Sequence, residues 1–496
     1  MEPEERARKN IDRQLEACGW QIQSRGEMNI YASNGVAVRE FAMPGVGEAD
    51  YLLYADSKAI GVVEAKPEDW TLKGVELQSG GYMGGLPNVV PAFRRPLPFG
   101  YETTGMVTQF TNALEPEARS REVFAFHRPE ELVRLARLKT QVREALKEMP
   151  PLVQEGLWPA QIEAIRNLER SLAQNRPRSL IQMATGSGKT FTAVSAGYRL
   201  IKFASARRVL FLVDRKNLGT QTLTEFQQYT SPYNGYAFAE EYNVQYLRSN
   251  RIDEASRVVV TTLQRLYSML KCEEEFDEER EEGSLLEAGP ALEGGPMPVT
   301  YNPRIPIETF DFIIVDECHR SIYNLWRQVL EYFDALLIGL TAMPSKQTIG
   351  FFGGNLVMEY PHRRAVTDGV NVEGEVYRIR TRITAGGATL EATLKKDPLR
   401  RHDFDEFVSL YNPENRHERT PTWSEKTPEG RWRRYTYEEI LRREGANLDL
   451  TWIRDKSLED SADLEEPDTI AEEIADDLQA ALEQFATIAA DLRERE

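Results

Sequence analysis

At 496 residues the chain is too long for one ordinary domain, and two to four are expected. Its hydrophobic content of 41% suffices for packed cores, yet no apolar run is long enough to span a bilayer, and the start Met1-Glu2-Pro3-Glu4-Glu5 is not a signal peptide. The three scattered cysteines, Cys18, Cys272 and Cys318, lack metal-ligand or disulfide spacing, and the net charge of −18 argues against wholesale nucleic-acid binding while allowing a local basic groove. A cytoplasmic protein with no membrane partner is expected. Apolar positions Ile11, Leu15 and Cys18 predict a helix over 8–20 that ends at Gly19, and residues 28–40 read as strand material with a turn at Asn34-Gly35.

Two short apolar strands follow, Gly47–Tyr54 and Ala59–Lys66, joined by the polar turn Asp56-Ser57-Lys58, which predicts a hairpin. Strand alternation puts Glu64 and Lys66 on one face, and Asp50 in the lead-in to the neighbouring strand can reach the same point. Asp50 and Glu64 are candidate ligands for Mg²⁺, and Lys66 is a candidate for orienting or activating a water against a phosphodiester. Both strands are otherwise apolar, so these charges stand against a buried background. Downstream, Gln78-Ser79-Gly80-Gly81-Tyr82 fits a Gln-x-x-x-Tyr spacing. Together these residues resemble the PD-(D/E)xK nuclease fold, in one branch of which such a helix lies beside the active site. The stretch 87–101 is rich in Pro, Arg and aromatics and reads either as a nucleic-acid contact or as a packed loop. A helix is predicted near 130–148 (Leu132, Leu135, Leu138, Val142, Leu146), and Pro150-Pro151 marks the end of a nuclease-like domain, 1–150.

A second domain is expected over 151–350. Leu180, Ile181 and Met183 form an apolar strand leading into Ala184-Thr185-Gly186-Ser187-Gly188-Lys189-Thr190, after which Phe191, Val194 and Leu200 take helical spacing. Strand, glycine turn and helix make a phosphate-binding loop. Backbone N–H groups from Thr185 to Gly188 and the helix N-terminus face the phosphates, Lys189 reaches the outer ones, and the Thr190 hydroxyl holds Mg²⁺. Val209–Arg215 and Val258–Leu266 read as further buried strands. Residues 273–297 are acidic and Gly-rich, as in a surface loop. Phe310–His319 supplies the other half of an ATP site, with Asp316 for Mg²⁺ through water and Glu317 to polarise the attacking water.

Ala-x-Thr-Gly-x-Gly-Lys-Thr, Asp-Glu-Cys-His at 316–319 and Thr-Ala-Met-Pro at 341–344 resemble the motifs of superfamily-two helicases and translocases. That resemblance implies a RecA-like P-loop domain with a parallel sheet, Gln161 at the adenine edge, His319 coupling the nucleotide to the next motif, and Thr261-Thr262 along the DNA path. Nuclease first and motor second, with phrases such as Val38-Arg39-Glu40-Phe41 and Gly47-Glu48-Ala49-Asp50-Tyr51, resembles the restriction subunit of type I restriction-modification enzymes over roughly 1–390. It implies ATP, Mg²⁺, double-stranded DNA, and assembly with modification and specificity subunits.

Residues 351–394 resemble only the approach to a second motor domain, and the chain contains no Gln-x-x-Gly-Arg-x-x-Arg motif. From 395 to 496 the chain resembles the C-terminal region of the type I modification subunit, with Tyr411-Asn412-Pro413-Glu414-Asn415 and Asn447-Leu448-Asp449-Leu450. Glu414 stands where the methyltransferase motif has its second proline, so no methylation is expected. Ile474, Leu478, Ala481, Phe485, Ile488 and Leu492 form a heptad seam in this mostly helical tail, which is expected to dock on a partner helix rather than pack on the chain itself. The overall expectation is an α/β protein of PD-(D/E)xK, RecA-like and helical parts. It would be a restriction subunit, truncated or fused, with Mg²⁺-dependent cleavage and impaired translocation. The competing reading is an inactive remnant or assembly module that binds ATP or partners without turnover.

Overall fold

The computed structural model describes residues 3–68, 70–72, 75–273, 299–320, 326–372 and 376–379, then 408–409, 411–412, 415, 419, 421, 423–424, 432–436 and 439. The expected acidic loop, apart from its first residue, and the heptad seam lie outside the described residues. The chain divides into two compact units, Met1–Asn371 and Val372–Glu496. The first contains two seven-stranded sheets, so the protein is of mixed α/β class. In the second, Val376–Ile379 pairs antiparallel with Trp432–Tyr435. No helix among the described residues is long and apolar enough to cross a membrane.

The first sheet runs in sequence order: β1 (Gln21–Gln23), β2 (Gly35–Met43), β3 (Gly47–Ala55), β4 (Lys58–Ala65), β5 (Phe99–Thr103), β6 (Thr108–Asn112) and β7 (Arg121–Val123). The β3–β4 hairpin forms as expected. Asp56 and Ser57 both take positive φ (47° and 61°), the combination whose twist matches antiparallel strands. β4 pairs antiparallel with β3 and parallel with β5, so it is a central strand. Both its faces are covered, which is why it reads as an apolar run. Val63 packs in a cluster with Ile11 and Leu15 of helix α1 (Pro3–Ala17). Val62 packs in another with Tyr82 and Met83 of α2 (Glu76–Gly84). Strand β2 starts only at Gly35, because residues 31–34 form the turn.

The helix expected over 130–148 breaks into α3 (Pro129–Arg137) and α4 (Val142–Ala145). Leu138 leaves helical backbone at ψ 134°, and the Gln141 side chain donates to the Leu135 carbonyl at 2.9 Å. A side chain thus takes a carbonyl that a continuing helix would have used.

In the second sheet every neighbour is parallel. Its strands are β8 (Arg178–Met183), β9 (Val209–Val213), β10 (Asn243–Tyr246), β11 (Ser256–Thr262), β12 (Phe312–Val315), β13 (Leu336–Thr341) and β14 (Leu356–Tyr360), in the order β10-β11-β9-β12-β13-β8-β14. β9, β12 and β13 are buried at every residue, as parallel strands sandwiched between helices are. The edge strand β14 lies past residue 350, where this domain was expected to end, because its backbone pairs with β8. Strand β8, next to the edge strand, hands the chain directly to the glycine turn and then to α6 (Lys189–Phe203), while α5 (Pro159–Ala173) packs beside α6.

The two sheets are joined by charge. Asp334, just ahead of β13, takes both Nε and Nη2 of Arg121 (2.7 and 2.8 Å) and His127 Nε2 (3.0 Å) from the first-sheet region. Arg128 Nε meets Glu308 at 2.7 Å, and Arg207 Nη1 meets Glu131 at 3.2 Å.

Candidate functional site

The first cluster gathers where β3, β4 and α2 meet. Asp50 Oδ2 accepts the backbone N–H of Ala65 at 2.8 Å, which draws the two expected carboxylate positions together across the hairpin. Glu64 is 3% exposed, and its Oε1 takes Lys66 Nζ at 2.7 Å. Lys66 Nζ also donates to Gln78 Oε1 at 3.0 Å, and Gln78 Nε2 donates to Tyr82 Oη at 3.1 Å. The Gln-x-x-x-Tyr pair therefore sits on a real helix, despite Gly80 and Gly81, and holds the lysine from the far side. Glu64 Oε2 is buried without a hydrogen-bond partner among the described residues. Burial raises the Glu64 carboxyl above its ordinary range; Lys66 opposes the rise and Asp50 adds to it. An unsatisfied buried carboxylate oxygen is costly. A hard divalent cation would satisfy it, and the oxygen set fits Mg²⁺. Among the described residues no group of three or more His, Cys, Asp or Glu gathers as a metal cluster, so water or substrate oxygens would complete such a shell.

Arg8 of α1 was not foreseen. Its Nη2 lies 3.1 Å from Asp50 Oδ1 and its Nη1 2.8 Å from Glu40. A helix pattern alone gives no signal for such a contact. The 87–101 stretch is a loop that runs into β5, in which Arg95 spends its guanidinium on the carbonyls of Leu86, Pro87, Asn88 and Val90 while Arg94 and Arg95 stay exposed.

The second cluster surrounds the glycine turn. Gly186 and Gly188 take φ of 80° and 78°, which a side chain would strain. A Cβ on Gly188 would also lie 2.3 Å from Gln161 Nε2. Ser187 Oγ donates back to the Ala184 carbonyl at 2.6 Å, which tightens the turn before Lys189 opens α6 and Thr190 follows in its first turn. Gln161 is buried beside the loop, its Oε1 accepting Trp158 N–H at 2.9 Å and its Nε2 reaching Gly188 O at 3.4 Å. Asp316 and Glu317 follow β12. Lys189 Nζ lies 3.5 Å from Glu317 Oε1, so the loop lysine and the acidic pair face one another. Burial pushes the Asp316 carboxyl up to about 6; Glu317 adds to this and Lys189 opposes it. Glu317 takes φ 45°, a strained backbone for a residue of its size, as residues at working sites often do. His319 Nδ1 lies 3.0 Å from Thr341 Oγ1 and 3.4 Å from Glu317 Oε2, and so bridges the end of β12 to the end of β13.

Residues 155–346 match the family model described as Type III restriction enzyme, res subunit. The EcoKI type I restriction enzyme endonuclease subunit of Escherichia coli (strain K12) is 28% identical over 439 residues, 75% of this chain and 35% of that protein. The EcoAI endonuclease subunit of Escherichia coli is 26% identical over 424 residues, 79% of this chain and 46% of its own length. The chain is a relative of the type I restriction endonuclease subunits. It spans between a third and a half of the length of these two curated relatives. Among solved structures, a fragment described as an HsdR subunit of a type I restriction enzyme from Vibrio vulnificus YJ016 is 22% identical over 74% of this chain and 61% of its own, with a TM-score of 0.30.

Three residues sit differently from the sequence reading. Thr261 and Thr262 are fully buried rather than lining an open path, and Thr262 Oγ1 accepts Arg265 N–H as a helix cap. Asn371, read from the sequence only as part of an approach to a second motor domain, donates from Nδ2 to the Thr185 carbonyl at 3.1 Å. Gly188→Ala is expected to lower stability by about 1–2 kcal/mol through its positive φ, with Gln161 displaced from the loop. Thermal unfolding measures the first effect and nucleotide affinity the second.

Proposed function

We propose that this chain is a type I restriction subunit that binds ATP·Mg²⁺ on its parallel sheet and cleaves DNA with Mg²⁺ at Asp50, Glu64 and Lys66. The observation that carries the cleavage reading is the Glu64–Lys66–Gln78 arrangement, with Glu64 Oε2 left unsatisfied beside Asp50. Asp50 and Glu64 would hold the cation, which when bound supplies electrostatic stabilisation of phosphate charge and an acidified water. Lys66, fixed by Glu64 and Gln78, would orient the attacking water or neutralise the scissile phosphate. On the parallel sheet, Lys189 would hold the outer phosphates, and the backbone from Thr185 through Ser187 to Gly188 would cradle the inner ones. Thr190 and Asp316 would hold the second Mg²⁺, Glu317 would polarise the water, and Gln161 would meet the adenine. His319 would pass the nucleotide state to Thr341.

Double-stranded DNA is the proposed substrate, and modification and specificity subunits are the proposed partners, as the kinship to type I endonuclease subunits supports. The alternative, a module that binds without turnover, is favoured by one sequence feature, the absence of a Gln-x-x-Gly-Arg-x-x-Arg run. Metal binding tests the cleavage reading independently of activity. Titration of the full chain with Mn²⁺, followed by electron paramagnetic resonance without nucleotide, should show a site that Glu64→Ala removes and that Asp316→Ala leaves in place. Mn²⁺ uptake identical in wild type and Glu64→Ala would count against this site.

A further inference from the structure

Glu102 lies on β5 in direct register with Glu64 on β4, and it is fully buried. A buried carboxylate is costly unless donors meet it. The close donor is the Ser79 hydroxyl on α2, whose Oγ donates to Oε1; Ser120 Oγ stands 3.4 Å from Oε2 but 3.0 Å from Gln109 Oε1. Ser79, itself 2% exposed, is the residue next to Gln78.

The helix that carries both is weak by composition. Its nine residues include Gly80, Gly81 and Gly84, and no side chain caps its N-terminus. A short helix of this kind does not hold itself together, and its position depends on what it docks against. One such contact is the packing of Tyr82 and Met83 in a buried cluster. Another is the closeness of β5, where a Cβ on Gly100 would lie 3.0 Å from Met83 Sδ and 3.7 Å from Ser79 Oγ. A third is polar, Ser79 on Glu102. Gln78 is solvent-exposed and owes its place to the helix, yet it supplies one of the two oxygens on Lys66 Nζ.

We propose that Glu102 is a positioning residue: through Ser79 it seats α2 so that Gln78 fixes the Lys66 ammonium, a role that rests on reading Asp50, Glu64 and Lys66 as the cleavage site. Glu102 acts through Ser79 and Gln78 in this role, not as a catalytic residue.

The test uses the full chain and compares Ser79→Ala, Ser120→Ala and Glu102→Gln with wild type. Two readouts run in parallel: the acylation rate of Lys66 by a water-soluble N-hydroxysuccinimide ester, followed by peptide mass spectrometry, and metal-dependent plasmid nicking. With Lys66 released from Gln78, Ser79→Ala should acylate about fivefold faster, the effect of roughly one hydrogen bond. Ser120→Ala removes a hydroxyl beside the same carboxylate but not from α2, and Glu102→Gln keeps an acceptor oxygen for Ser79. Both should stay within about twofold of wild type, as substitutions that spare the working contact do. A merely structural role would move Ser79→Ala and Ser120→Ala alike, and equal acylation rates in those two variants overturn the proposal. Nicking lost in Lys66→Ala, with nicking and acylation both unchanged in Ser79→Ala, overturns the positioning role alone. Nicking unchanged in Lys66→Ala overturns the cleavage reading beneath it.

Discussion

Replacing Asp334 by alanine is expected to cost about 3–5 kcal/mol of stability, the usual penalty for breaking a buried ion pair from one side. Asp334 receives two bonds from Arg121, at 2.7 and 2.8 Å, and one from His127, at 3.0 Å. His127 is 2% exposed and is held on its other side by Tyr101 Oη at 2.9 Å, within the core of the first sheet. Arg121 lies over the Phe110 ring. Its remaining partner, Glu115, is at 3.3 Å. The variant therefore takes from Arg121 the nearer of its two carboxylates. Urea unfolding of wild type and Asp334→Ala measures the loss. The pH dependence has a definite sign. Burial would raise the Asp334 carboxyl, but Arg121 and His127 overcome this and hold it well below the ordinary carboxylate range. A depressed folded value means the contribution is complete above the unfolded value of about 3.9 and is lost as pH falls below it. The difference between wild type and variant should be constant near neutrality and shrink in acid. A loss under about 1 kcal/mol would place this pair with ordinary surface ion pairs.

Lys189→Ala is expected to weaken ATP binding roughly 10–100-fold, the range for losing a charged hydrogen-bond donor. Lys189 is mostly buried and lies 3.5 Å from Glu317, so its ammonium is already aimed across the cleft where the outer phosphates would sit. Equilibrium binding of a fluorescent ATP analogue to wild type and Lys189→Ala measures the loss, and equal affinities would contradict it.

Both clusters were legible in the sequence for the same reason: each puts charge at the end of a strand that is otherwise apolar. Lys189 follows a buried strand and two glycines, and Asp316 follows Phe312–Val315. Glu64 ends a strand buried on both faces, so its carboxylate stands out from its neighbours. The β3–β4 turn was readable because Asp56 and Ser57 are short polar residues between two apolar runs. What could not be read depends on partners distant in the chain. Arg121 and Asp334 are 213 residues apart and belong to no periodic pattern. Arg8 meets Asp50 only because α1 packs across the first sheet. The break at Leu138 is set by the Gln141 amide folding back on Leu135, a contact invisible to helical spacing. Strand β14 has an ordinary composition, and only its backbone pairing with β8 assigns it to the parallel sheet.

Supercoiled-plasmid nicking decides whether Asp50, Glu64 and Lys66 form a Mg²⁺-dependent cleavage site. The full chain and its Glu64→Ala and Lys66→Ala variants would be compared in Mg²⁺, in Mn²⁺ and in chelator. Nicking by wild type should require the metal and fall by about 10² or more in each variant, the scale of removing one charge-stabilising group from an active site. Nicking that persists at the wild-type rate in both variants would contradict it.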